Sequence, residues 1–237
     1  MSGRLDCWSA IRFSGFKRCK GAEVWVQAVH VDIWSDLVCP WCYLGKRRFE
    51  TALAVFAHGD KVEVVHRSFQ LDPSIPKGVT LRTRDMLMRK YRMTEPQVIA
   101  SQANLEQLAA VEGLEYHLAE SHTGNTMDAH RLVHLGREQG IQDAVIERLF
   151  RAHFTENRSL FDKAALVTLG NESGLRGVEE LLDNNRYEDD VVADHRQASE
   201  LGANGVPFFV LDGRYGVSGA QSVEVFTEAL ARAWTHS

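Results

Sequence analysis

Two of the four cysteines stand as Cys39-Pro40-Trp41-Cys42, while Cys7 and Cys19 lie far apart nearer the start of the chain. Thiols at that close spacing support thiol–disulfide exchange or half of a zinc site. Exchange needs one sulfur as a stabilised anion, because the thiolate is the attacking species. The flanking residues bear on the choice. Val29, Val31 and Ile33 alternate with more polar positions up to Trp34 as in a strand, and Leu44, Phe49, Leu53 and Phe56 recur near helical spacing from Pro40 to Ala57. Pro40 suits a first helical turn, where a missing N–H costs nothing. Cys39 is therefore expected at a helix start, where free N–H groups and the positive end of the helix dipole lower a thiol pKa into a range of about 3.5–7.5. Cys42, one turn deeper on the same face, is expected to resolve a mixed disulfide formed at Cys39. A zinc knuckle would require a second ligand pair, which Cys7 and Cys19 do not supply at matching spacing; a purely structural pair is the other alternative.

The elements that must position this pair follow along the chain. After the helix, His58-Gly59-Asp60 turns into a second strand over Val62–Phe69, making a βαβ unit with parallel strands and a right-handed crossover. Asp72 to Gly78 reads as a loop, and more than a hundred helical residues follow. Thr94-Glu95-Pro96-Gln97 and Asn125-Thr126-Met127-Asp128 open helices, ended by Gly113 and Gly140; Ile141–Phe154, Asp162–Ser173 and Tyr187–Leu201 supply others. Strand character returns at Val206–Leu211, with an Asp212-Gly213 turn into Tyr215–Ser218 and a final helix from Ser222 to Trp234 that turns Val225, Phe226 and Leu230 to one face. The expected organisation is an extension over 1–28, disordered or not native to the protein, and a sheet domain in two parts, 29–72 and 188–237. A helical insertion over 73–187 separates the parts.

Composition narrows the function classes. At 237 residues the chain can bury a core without disulfide staples. A formal charge of −5 argues against an electrostatic nucleic-acid binder. No apolar run approaches the ~18–20 residues of a membrane span. Arg4, Asp6, Arg12 and Lys17 interrupt the apolar positions of the first stretch, so no signal-peptide core forms. A cytoplasmic location is the resulting expectation, and in that reducing compartment a close cysteine pair is more often chemical than structural.

The stretches from Ser35 through Cys39-Pro40-Trp41-Cys42 to Phe49, Asp128–Leu132, Gly205–Val210 and Ser218–Gln221 resemble the DsbA family of thioredoxin-fold proteins, nearest its FrnE-type branch, a cytoplasmic group. The resemblance covers about residue 29 to the end. It implies an α/β thioredoxin-like fold, a central mixed sheet with flanking helices, interrupted by an all-helical insertion. It also implies a cis Pro207 facing the cysteines, with the backbone of Val206 open to pair with an extended substrate. The strongly oxidising periplasmic members carry histidine where Trp41 stands here, and the second cysteine pair of some FrnE-type proteins has no counterpart after Cys42.

The expected function is thus a disulfide oxidoreductase or isomerase acting at Cys39 and Cys42, with Pro40, Trp41, Val206 and Pro207 contacting substrate. Its substrates would be cysteine-containing proteins or small thiols. No bound cofactor or metal is called for, and glutathione is an optional redox partner. Two alternatives share the features: a glutathione-dependent isomerase or transferase resembling 2-hydroxychromene-2-carboxylate isomerase, where serine commonly replaces the first cysteine, and a redox-switched holdase. Asn125 and Arg131 are candidates for a cleft between the two parts, with helix capping the competing role for Asn125. His130 and His134 have ligand spacing but lack the glutamate of a zinc-protease pattern, which favours a structural role. Trp41, Tyr43 and Trp34 are candidates for an apolar platform, with core packing the expectation for Trp34. Lys46-Arg47-Arg48 reads as a solvated helix face, or as charge favouring the thiolate.

Overall fold

A computed structural model of the protein describes residues 12–13, 16–18 and 25–236. Its principal sheet contains β4 (Val29–Ser35), β5 (Val62–Ser68), β8 (Phe208–Leu211) and β9 (Tyr215–Ser218), in the order β5-β4-β8-β9. Between β4 and β5 runs α1 (Pro40–Val55), the crossover that parallel neighbours require. β8 and β9 are antiparallel, closed by a turn in which Asp212 and Gly213 both take positive φ. Val29, Val31, Ile33 and Phe209 pack against α1 and α9 (Val223–Thr235), with Phe49 and Phe226 meeting edge to face at 5.6 Å. On α9 the buried stripe is Phe226, Ala229, Leu230 and Ala233, whereas Val225, expected on that stripe, is exposed. Trp34 closes the opposite face against Phe208 and Val210, its indole N–H donating to the carbonyl of Asp194 at 2.8 Å.

The segment between β5 and β8 contains α2 (Thr83–Tyr91), α3 (Glu95–Val111), α4 (Met127–Glu138), α5 (Gln142–Phe154), α6 (Lys163–Glu172), α7 (Val178–Leu182) and α8 (Glu188–Glu200). Gln97 accepts the Thr94 N–H at 2.8 Å at the start of α3, and the Asp162 carboxylate accepts the Ala165 N–H at the start of α6. The segment is not wholly helical. β6 (Thr80–Arg82) and β7 (His122–Gly124) form an antiparallel ribbon, too short to leave an alternating pattern in the sequence.

The segment before β4 also departs from expectation. Within the stretch expected to be disordered or not native to the protein, β1 (Arg12–Phe13), β2 (Phe16–Arg18) and β3 (Trp25–Gln27) form a small antiparallel sheet. Strands of two or three residues give no period to read. Cys7 and Cys19 lie outside the described residues.

Lys46-Arg47-Arg48 is a clasp rather than a solvated face. Lys46 is 2% exposed; its ammonium contacts Glu147 at 2.9 Å and Asp143 at 3.1 Å on α5, and Glu50 one turn along α1. Arg48 bonds Glu112 at 2.7 Å and the carbonyl of Ala220 at 2.9 Å. These cations are matched by carboxylates and carbonyls, not spent on a thiolate. Burial alone would lower the Lys46 pKa, but Asp143, Glu147 and Glu50 together hold it above its ordinary value. Burial opposes the charged form of Glu147, yet Lys46 pulls it below the usual carboxylate range. His66 first, and Lys46 after it, do the same for Asp143.

A carboxylate whose folded pKa is depressed contributes stability above its unfolded value, near pH 4, and loses it as pH falls through the folded value. Lys46→Met is therefore expected to reduce unfolding free energy by about 1–2 kcal/mol at pH 7, less than for a fully buried pair because water screens the partly exposed Asp143, Glu147 and Glu50. Urea titrations from pH 7 to pH 2 should show the difference from the parent shrinking below about pH 4.

Candidate active site

Cys39 is the N-cap of α1, with extended backbone (φ −95°, ψ 109°) and Pro40 as the first helical residue. No side chain caps this end, so the thiol itself occupies the place where N–H groups lack partners. The turn leading in is tied down by the Cys39 N–H, which donates to the Asp36 carbonyl at 3.0 Å. The Cys42 N–H donates to the Cys39 carbonyl at 2.9 Å, and both residues are free thiols. Cys39 is 5% exposed and Cys42 is sealed at 0%, in contact with the Cys39 sulfur. Burial pushes the Cys42 thiol well above its ordinary value; the neighbouring Cys39 sulfur and the Asp36 carboxylate push the same way, while a backbone hydrogen bond from Asp36 opposes them. The pair is thus unequal: one residue retains a trace of exposure and the other is fully enclosed, with its sulfur held protonated.

Opposite the pair, the Val206-Pro207 bond is cis, and the Cys39 thiol donates to the Val206 carbonyl at 3.7 Å. Val206 is half-buried and Pro207 buried. Two close approaches hold this wall. The Pro207 carbonyl accepts the Gly219 N–H at 2.8 Å, and a Cβ on Gly45 would lie 2.9 Å from the Pro207 ring and 3.4 Å from Ala220. Gly45 is therefore required by contact between α1 and the proline loop. A glycine inside a helix, where it costs about 0.5–1 kcal/mol, is the signal that could have singled it out.

The insertion supplies the other wall. Tyr116 donates its hydroxyl to the Pro40 carbonyl at 2.8 Å and stacks on Tyr43, which also stacks on Phe150 at 5.0 Å. Tyr43 is core, as is Trp34; Trp41, 43% exposed, is the aromatic ring available at the opening. Asp36 was missed as a site residue. It is buried, with one carboxylate oxygen accepting the Leu71 N–H at 2.7 Å and the other 3.5 Å from Nε2 of His130. Neither of those facing atoms has a hydrogen-bond partner among the described residues. Burial pushes the nearby His153 down to about 4, so its ring is neutral near pH 7.

Other candidate residues lie elsewhere. Arg131 is buried away from any cleft, its guanidinium bonded to the carbonyls of Leu181, Asn184 and Arg186 and to Asp128. Asn125 accepts the Met127 N–H at 3.0 Å and donates to Ile75 at 2.7 Å, joining the start of α4 to the loop after β5. His134 contacts Ser68 at 3.1 Å and Asp194 at 3.3 Å, so the two histidines on α4 serve different partners.

Comparison with known proteins agrees with this architecture. Residues 30–231 match the DSBA-like thioredoxin domain family. The chain is 49% identical to a probable DsbA oxidoreductase, SCO1869 of Streptomyces coelicolor, with a TM-score of 0.85 over 88% of this chain and 91% of that one. It is 28% identical to YwbO of Bacillus subtilis (strain 168), covering 86% of this chain and 96% of that protein. The cytosolic disulfide reductase DsbM of Pseudomonas aeruginosa, 18% identical, shares the fold at a TM-score of 0.60 over 88% of this chain and all of its own.

Asp36→Asn keeps an oxygen for the Leu71 N–H while removing the charge beside Cys42; alkylation followed by mass spectrometry should show Cys42 reacting at lower pH than in the parent. Gly45→Val is expected to lower stability in urea by about 1–3 kcal/mol, the cost of overpacking a filled contact, and to slow exchange at Cys39.

Proposed function

The chain belongs to the DSBA-like thioredoxin domain family, and from that premise we propose that it exchanges disulfides through Cys39 and Cys42. The observation that carries this reading is the seating of Cys39 at the helix start, its sulfur 3.7 Å from the Val206 carbonyl, with Cys42 sealed behind it. In the first step the Cys39 thiolate attacks one sulfur of a substrate disulfide, forming a mixed disulfide and releasing the other sulfur as a thiolate. In the second, Cys42 attacks the Cys39 sulfur; the Cys39–Cys42 bond forms, and the bound sulfur departs as a thiol carrying the proton that Cys42 lost. The protein's dithiol is oxidised by two electrons and the substrate disulfide reduced; the reverse sequence oxidises a substrate dithiol. The half-buried Val206, before the cis bond to Pro207, and the exposed ring of Trp41 are the surfaces that would hold the substrate beside the attacking sulfur.

The reading needs no resident cofactor, and glutathione enters as a thiol substrate or regenerant; a DsbM structure with glutathione has a similar fold. Among the described residues no helix is long and apolar enough to cross a membrane. A cytoplasmic, FrnE-type role is the finer assignment we attach to this reading, supported by the Cys39-Pro40-Trp41-Cys42 motif and the cytosolic DsbM fold.

Cys42→Ser incubated with a disulfide-bonded protein is expected to accumulate a mixed disulfide at Cys39, read as a mass increment that dithiothreitol removes. Cys39→Ser should accumulate none. Absence of the adduct in the first variant, or turnover of an aromatic substrate that survives Cys42→Ser and depends on glutathione, would overturn the assignment.

A further inference from the structure

The region between Lys77 and Arg92 runs against the rest of the chain in charge. In a protein of net charge −5 it holds Lys77, Arg82, Arg84, Arg89, Lys90 and Arg92 against one acid, Asp85. Lys77 is matched by Asp128 and Glu188, and Arg84 by Glu95. Arg82, Arg89 and Arg92 are exposed and form no ion pair among the described residues.

The apolar residues here are equally unusual. No residue of α2 is fully buried, although the helix carries Met86, Leu87 and Met88, and Tyr91 is left 57% exposed at its end. Met86, Met88 and Met93 are three of the protein's five methionines. Methionine adapts its flexible, polarisable side chain to varied partners, and surfaces that accept many sequences use it heavily. Beside α2 lies a groove of about 390 Å³ lined by Ile75, Pro76, Val79, Leu81 and Met86, and by Asp72, whose carboxylate accepts the Ser74 N–H and hydroxyl. Arg89 and Lys90 stand at its rim. That volume falls within the range of sites that bind small ligands, and suffices for one or two large apolar side chains.

A short chain of hydrogen bonds joins the rim to the backbone of Cys39. The Lys90 ammonium donates to the Leu71 carbonyl at 3.3 Å, the Leu71 N–H donates to the Asp36 carboxylate at 2.7 Å, and the Asp36 carbonyl receives the Cys39 N–H at 3.0 Å. Leu71, exposed on the surface, lies between groove and thiol. Lys90, Leu71, Asp36 and Cys39 are thus successive contacts, a path that an extended substrate advancing about 3.3 Å per residue covers in several residues.

We propose that this groove docks the segment flanking the reactive cysteine of a polypeptide substrate, one that combines large apolar side chains with aspartate or glutamate. The inference rests on disulfide exchange at Cys39 and adds the substrate class: acidic, apolar protein segments rather than small thiols alone. Arg89 at the rim, with Arg92 three residues on, attracts the acidic residues, and the apolar lining, with Met86 as its adaptable member, accepts different apolar ones.

The test separates docking from chemistry. A fluorescein-labelled ten-residue peptide with leucine, phenylalanine, aspartate and glutamate around a serine in place of cysteine is titrated against the full chain, with a lysine-for-acid twin as control. The acidic peptide should bind at least tenfold more tightly, the difference shrinking with added salt, and Arg89→Glu combined with Arg92→Glu should abolish the preference. The same peptide with cysteine, carrying thionitrobenzoate in disulfide linkage, is then reduced in a single turnover beside 5,5′-dithiobis(2-nitrobenzoate). The double variant should lose about tenfold on the peptide and retain its rate on the small disulfide. Equal binding of the two peptides, or equal loss on peptide and small disulfide, overturns the docking proposal. Binding of the charge-reversed protein's parent to anionic vesicles without peptide discrimination overturns it as well. Selective peptide binding with no reduction of either disulfide would instead overturn exchange chemistry and leave docking standing.

Discussion

Everything at the reactive end depends on the pairing of β4 with strands on both of its sides. Trp34, near its end, lies opposite Arg67 on β5 and opposite Phe208 on β8. One register therefore delivers Cys39, just beyond β4, to the same level as Val206 and Pro207, just before β8. A slip of one residue on either side would exchange the side chains between the layer packed on Phe49 and Phe226 and the layer packed on Trp34, so the two buried faces lock the alignment. The thiol–carbonyl approach at the opening is a consequence of hydrophobic burial well behind it.

Around that register the site is assembled from parts that serve different purposes. The helix start supplies free N–H groups, the proline loop supplies an opposing carbonyl, and the insertion supplies a cover through Tyr116, Tyr43 and the Lys46 clasp. Asp36 joins them: its carbonyl fixes the turn before Cys39, and its carboxylate holds the loop after β5. Full burial keeps the second sulfur neutral, so the two thiols differ in environment although they lie three residues apart at the start of one helix.

Much of this was legible in the sequence because the signals were local and periodic. The alternation at Val29–Trp34, the helix after Pro40 and the Thr94 and Asp162 starts each express a repeat or a cap within a few residues. The cysteine spacing marked the candidate site from the residues themselves, and the Val206-Pro207 stretch was added to it by resemblance. What was not legible depended on distant partners. Lys46 reads as an ordinary exposed cation until α5 brings Asp143 and Glu147 to it, and Arg131 reads as a polar cleft residue until the carbonyls at the end of α7 surround it. Tyr116 carries no local signal that it reaches Pro40, seventy-six positions away. The ribbon of β6 and β7 and the sheet of β1 to β3 were missed because three residues or fewer define no period.

The sheet order also has a temporal meaning. β4 and β5 leave the ribosome early and can pair across α1, but β8, the other neighbour of β4, follows only after the seven intervening helices have been made. Until then one edge of β4 is open, and the carbonyl that faces Cys39 has not been synthesised. A growing chain thus carries both cysteines long before it possesses the surroundings that distinguish them, and the pair is enclosed only once β8 has been made.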